Sequence, residues 1–166
     1  MSRFIPFISD LTNFEVADIS ASLSSSSNVV GDKTATLTIT VDPGTQLAGE
    51  GTVVLNVPEY YTDAGSDQMI GRSSSCASDG DLVNVSCEFL SASRQLTISY
   101  ETSNGSATSS SQTFFIYNFK NPVKPTTKTA KTGFTVFSTD SEGYAIGTSE
   151  EISLSGITEP TGFNYV

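Results

Sequence analysis

"KTATLTITV", residues 33–41, alternates strictly between two chemistries. Ala35, Leu37, Ile39 and Val41 share one side, and Thr34, Thr36, Thr38 and Thr40 share the other. A period of two is the signature of a strand with one face buried and one face wet. Threonine is β-branched and suits the same conformation. A helix would need its apolar residues gathered in one stripe at i, i+3, i+4 and i+7, and strict alternation scatters them around a helix instead.

The same reading extends outward along the chain. "RQLTISYE" (94–101) repeats the alternation with Leu96, Ile98 and Tyr100 inward, and "EEISLSGI" (150–157) does so with Ile152 and Leu154. "GTVVLNVP" (51–58) reads as a strand stopped by Pro58. "TFFIYNF" (113–119) is apolar on both faces, which predicts a central, covered strand. "GFTVFST" (133–139) is similar, and "NFEVADISASL" (13–23) predicts a longer, looser strand. Turn signals separate these runs at Asp42-Pro43-Gly44, Asp79-Gly80, Asn104-Gly105, Asn121-Pro122 and Asp140-Ser141-Glu142-Gly143. Roughly eight to ten strands with loops of about 5–15 residues predict an all-β fold, a two-sheet antiparallel sandwich of Ig-like type, with a closed barrel as the alternative. The expected organisation is an N-terminal segment at 1–12 (a strand or a donor segment), a sandwich domain at 13–158 and a C-terminal tail or linker at 159–166.

Composition bounds the function. The 166 residues carry 18 acids against 8 bases, a net charge of −10. Such a body is repelled by phosphate backbones and anionic lipid, which argues against nucleic-acid binding. No apolar run approaches the length of a membrane helix, so direct insertion is not expected. Met1 to Asp10 lacks the apolar stretch of a signal peptide, so a secreted form would be a mature or excised piece. Solubility rests on hydroxyls, with 27 Ser and 21 Thr.

The chain has no His. That removes a Ser-His-Asp triad and a His-ligated zinc site, and two cysteines cannot complete a four-cysteine site. The acids show no pattern of a catalytic carboxylate pair. "DAGSDQ" (63–68) and "SDGD" (78–81) are oxygen-rich but lack the spacing of a calcium loop, and read as ordinary turns. No enzyme activity, cofactor or metal is expected.

Two patterns remain. The only cysteines, Cys76 and Cys87, flank the acceptor pattern Asn84-Val85-Ser86. With 82–90 as a strand, Val83, Val85, Cys87 and Phe89 face the core, and Leu82, Asn84, Ser86 and Glu88 face solvent. Asn84 then points outward, as a glycan requires, and Cys87 points inward toward Cys76 in the preceding loop. Closing that loop of about 12 residues is worth roughly 3 kcal/mol. Asn104-Gly105-Ser106 is a second acceptor. A disulfide with exposed acceptors implies an oxidising setting, extracellular or at the cell surface. The second pattern is "KNPVKPTTKTAK", which gathers Lys120, Lys124, Lys128 and Lys131. It is either edge protection or a docking loop for an acidic neighbour.

The stretch "FFIYNFKNPVKPTTKTAKTGFTVFSTDSEGYAIGTSE" (114–150), with Asn121-Pro122, Gly133-Phe134-Thr135-Val136 and Thr139-Asp140-Ser141-Glu142-Gly143, resembles the end of β-sandwich repeat modules in ciliate and other protist surface proteins. "TATLTITVDPGTQLAGEGTVVLNVPEYY" is similar to an earlier segment of those modules, so the resemblance spans about 33–155; "MSRFIPFISDLTNF" lies outside it. The resemblance implies a glycosylated extracellular structural or adhesive module, a unit of a surface filament or coat. Its partners would be copies of itself or neighbouring modules, with glycan as a further candidate. The competing reading is a carbohydrate- or ligand-binding module using Tyr60, Tyr61, Asp63 and Asp67 in "PEYYTDAGSDQ".

Overall fold

The structure, a computed structural model, describes residues 16–61, 76–122 and 133–154. Ten strands run in chain order: β1 (Ala17–Asp18), β2 (Ser20–Ser25), β3 (Leu37–Asp42), β4 (Glu50–Asn56), β5 (Cys76–Asp79), β6 (Leu82–Leu90), β7 (Gln95–Thr102), β8 (Gln112–Ile116), β9 (Thr135–Asp140) and β10 (Ala145–Thr148). One short 3-10 turn, Glu59–Tyr61, follows β4.

The strands form two sheets, one of six in the order β1-β10-β9-β4-β7-β6 and one of four in the order β2-β3-β8-β5. The barrel alternative therefore falls: each sheet has two ends, and a barrel has none. The order β2-β3-β8-β5 against β10-β9-β4 matches that of the Ig constant-type sandwich, and β7 and β6 extend the second sheet where variable-type domains add two strands. The path between them differs. The chain crosses from β4 to β5 first, and then lays down β6 and β7, so the two added strands are visited from the outside inward.

The alternating residues meet between the sheets. Leu37, Ile39 and Val41 of β3 are essentially inaccessible, as are Val53 and Leu55 of β4, Leu96 and Ile98 of β7, and Phe114 and Ile116 of β8. Register follows from this burial, because a slip of one residue would turn each set to water. The outer face of the six-stranded sheet carries polar pairs beside Val54 and Phe137, which oppose each other. Gln95 donates to Asn56 at 3.0 Å, Asn56 donates to Thr135 at 2.8 Å, and the Thr52 and Thr139 hydroxyls pair at 2.8 Å.

The expected strands shift in four places. The 13–23 run divides at Ile19: β1 pairs parallel with β10, and β2 pairs antiparallel with β3 in the other sheet. Burying Ile19 between the sheets fixes that switch. The expected strand at 150–157 reduces, among the described residues, to a single bridge between Ile152 and Phe134, while Ala145–Thr148 supplies the strand instead. Cys76 lies in a strand, β5, rather than in a loop. In β6 the boundaries hold but the phase does not. A bulge between Val83 and Ser86, with Asn84 at φ 52°, leaves Leu82 buried and Val83 exposed. The extra residue resets the alternation, so Cys87 and Phe89 still face inward.

Asn121, expected as a turn residue, is a buried hub. Its Oδ1 accepts from the Tyr61 hydroxyl at 2.8 Å, and its Nδ2 donates to the Ser27 and Val29 carbonyls at 3.0 and 2.9 Å. Its own N–H donates to the Asp32 carbonyl at 2.8 Å. The loop after β2 is thereby tied to the segment after β8.

Candidate functional surface

Cys76 and Cys87 are bonded to each other, with Cα atoms 6.1 Å apart. β5 ends the four-stranded sheet and β6 ends the six-stranded one, so the bridge links the two sheets along one flank. It does more than hold a loop to a sheet. The "SDGD" stretch is the tight corner between these strands, with Gly80 at φ 105°, a conformation that favours glycine. A Cβ there would also press on the Gln112 side chain. Among the described residues, no group of three or more Cys, Asp or Glu side chains is placed to hold a metal ion.

Asn84 is exposed at the bulge, where its amide nitrogen donates to Glu101 Oε2 at 3.0 Å. A glycosylated amide keeps one N–H, so that bond is compatible with a sugar. A shallow groove of about 550 Å³ opens beside it on the outer face, lined by Thr52, Ser86, Ser99 and Thr139 hydroxyls and by Glu50 and Glu101. Asn104 is also exposed, at a turn in which its Oδ1 accepts from the Ser106 N–H at 2.9 Å.

Tyr61 is the correction. It is 1% exposed, its ring lies against Phe119 and Phe134, and its hydroxyl is bound to Asn121. A ligand cannot reach it, because Pro58 starts the 3-10 turn that swings it into the core, where the Tyr61 N–H donates to the Pro58 carbonyl at 3.0 Å. The Tyr60 side chain, Asp63 and Asp67 lie outside the described residues. Of the lysine loop, Lys120 is half-buried beside the Asn121 hub, and Lys124, Lys128 and Lys131 lie outside the described residues.

Among the described residues, two ionisable groups are shifted. Asp32 is held below the usual carboxylate range, first by the Ser27 hydroxyl and then by the backbone and hydroxyl of Thr34. Burial pushes the Tyr100 phenol up to about 12, and its hydroxyl has no hydrogen-bond partner within the fold. Neither is set against a nucleophile or a base, so both read as structural groups.

A second concavity, about 660 Å³, runs along the flank opposite the disulfide. β2 forms one wall and residues 149–153 form the other, with Ile19, Ala21, Leu23 and Ile152 supplying apolar surface. Asp18, Asp42, Glu150 and Glu151 stand around it. Nothing in the alternation of single strands marked this slot, since it exists only where the ends of two sheets come together.

No protein-family model matches the chain, and no curated protein matches it. The described residues contain no helix long and apolar enough to cross a membrane. The disulfide points to a non-cytosolic environment.

Proposed function

We propose that this chain is a glycosylated extracellular module with a structural or adhesive role, one subunit or repeat of a surface filament or coat. The Cys76–Cys87 bridge between the ends of two sheets carries the reading. Such a strap gives mechanical and proteolytic durability where thiols stay oxidised. Both acceptor asparagines are exposed, which supports glycan on Asn84 and Asn104. The hydroxyl-rich, lysine-poor surface and the resemblance to protist surface modules favour the same reading. It makes the chain a non-enzyme whose partners are copies of itself or neighbouring modules.

The test is the intact mass of native material before and after glycosidase and reductant, followed by sedimentation over a range of concentrations. The reading expects sugar at Asn84 and a mass gain of two hydrogens on reduction, together with concentration-dependent association. Bare asparagine at both acceptors, or free thiols in native material, would remove the extracellular assignment.

A further inference from the structure

We propose that the slot between β2 and residues 149–153 is an acceptor groove for an added strand, and that its occupant is Phe4–Ile8 of a second copy of this chain. The inference rests on the reading of the chain as a self-associating module and names the contact.

The edges of the two sheets are not treated alike. β5 is four residues long and disulfide-bonded. β6 is bulged, carries Glu88 and has the Asn84 acceptor on it. β1 is two residues long. These are devices that keep a sheet edge from pairing with another chain. β2 has none of them. Its six residues, "SASLSS", contain no charge and no proline, and its pairing with β3 is continuous over all six. Among the described residues no strand lies on its other side.

The backbone groups it offers can be named. Ser26 N–H donates to the Thr36 carbonyl, so the pairs Ser24–Thr38 and Ser22–Thr40 are the ones bonded to β3 by the antiparallel alternation. Ala21, Leu23 and Ser25 therefore turn their N–H and C=O groups to the open side. A strand added there would also cover the half-buried Ala21, Leu23 and Ile152.

"RFIPFI" (3–8) fits this surface in three respects. In an added strand Ile5 and Phe7 share one face, and burying that pair would gain about 1.5–3 kcal/mol per side chain. Arg3 meets a rim of Asp18, Asp42, Glu150 and Glu151. Pro6 has no N–H, which suits an outermost strand whose Pro6 nitrogen faces solvent, and it stops further strands from adding. The described chain begins at Val16, two residues before Asp18 on the rim of the slot. β1 runs parallel to β10, with Ala17 opposite Gly147, so Val16 lies toward the start of β10 while the slot extends the other way along 19–23 and 149–153. A donor segment on one copy and an acceptor groove on the next are different surfaces, so the contact is heterologous and builds a filament.

The test is sedimentation velocity at low salt on the full chain, on Ala21→Pro, on Ile5→Asp/Phe7→Asp, and on an equimolar mixture of the two variants. Leu23→Lys serves as a second acceptor variant, and melting curves verify that each is folded. The full chain should form concentration-dependent oligomers. Each variant alone should associate at least about tenfold more weakly, equivalent to about 1.4 kcal/mol. The mixture should form a one-to-one dimer and stop, because one variant keeps its donor and the other its acceptor. If the full chain assembles and the variants assemble equally well, the slot assignment is wrong while the self-association reading stands. If the folded variants do not combine, the slot assignment also fails. If the full chain stays monomeric at high concentration, both fall. If in addition the Ile5→Asp/Phe7→Asp chain melts lower, the segment closes its own slot instead.

Discussion

On one flank of the sandwich, β5 and β6 end their sheets side by side, joined by a tight corner at Gly80 and by the Cys76–Cys87 bond. On the other, β1 leaves the six-stranded sheet after two residues, Ile19 crosses between the sheets, and β2 runs on with its outer backbone open. The first flank is closed by covalent chemistry and polar guards. The second is held by one buried isoleucine and, beyond the end of β2, by the Asn121 hub. One flank is thus closed by a covalent bond, and the other leaves a groove with apolar residues and an acidic rim, the surface on which the proposed directional contact rests.

The comparison can be broken first at Asn121. Asn121→Ala leaves the Tyr61 hydroxyl and the Ser27 and Val29 carbonyls without their buried partner. Unsatisfied buried groups cost about 1–3 kcal/mol each, and a loss of about 3–4 kcal/mol is expected in denaturant titration. A loss below about 1 kcal/mol would show that the β2 flank does not depend on the hub. Next is the covalent flank. Cys76→Ala/Cys87→Ala should cost about 3 kcal/mol, lowering the melting temperature by roughly 6–12 °C. An unchanged melting temperature would mean the two flanks are closed equally well without the bond.

Gly147→Ala probes the crossing. A Cβ there would collide with the Ile19 Cγ2 methyl and approach the Ser138 Oγ at 3.0 Å. Overpacking should cost about 2 kcal/mol and loosen β1 from β10, read as faster amide exchange at Ile19, whose N–H donates to the Thr148 carbonyl.

Tyr100 lies in the core between the flanks, against Phe114, and sets a baseline for both. Its phenol titrates at about 12 in the fold against the ordinary 10, so the unfolded chain releases that proton first. Stability contributed by the neutral phenol is whole below pH 10 and falls between about pH 10 and 12, by about 1.4 kcal/mol per pH unit at its steepest. Tyr100→Phe should flatten that slope in alkaline unfolding. Because the hydroxyl has no partner, the variant should be neutral or up to about 1 kcal/mol more stable at pH 7. The smallest effect belongs to the open edge. Ala21→Pro should change the melting stability of the monomer by less than about 0.5 kcal/mol, since the lost N–H pairs with nothing in β3. A large loss there would mean the edge is already occupied within the monomer.

The period of two at 33–41, 94–101 and 51–58 was legible because alternation is local. Each side chain's face is set by its own backbone and its immediate neighbours. The same locality made Cys87 inward and Asn84 outward readable, even though the bulge at Asn84 reversed Leu82 and Val83. Two cysteines allow only one internal pairing, so the bond itself needed no fold to suggest it. The tertiary structure decided what the bond joins. Cys76 sits in the four-stranded sheet and Cys87 in the six-stranded one, and sheet membership depends on pairings far apart in sequence, such as Cys76 with Ile116 and Cys87 with Ile98. Tyr61 and Asn121, sixty residues apart, found each other for the same reason. The slot beside β2 is the clearest case. "SASLSS" names a weakly patterned strand, and only the end-to-end meeting of two sheets makes its edge a groove with an apolar floor and an acidic rim.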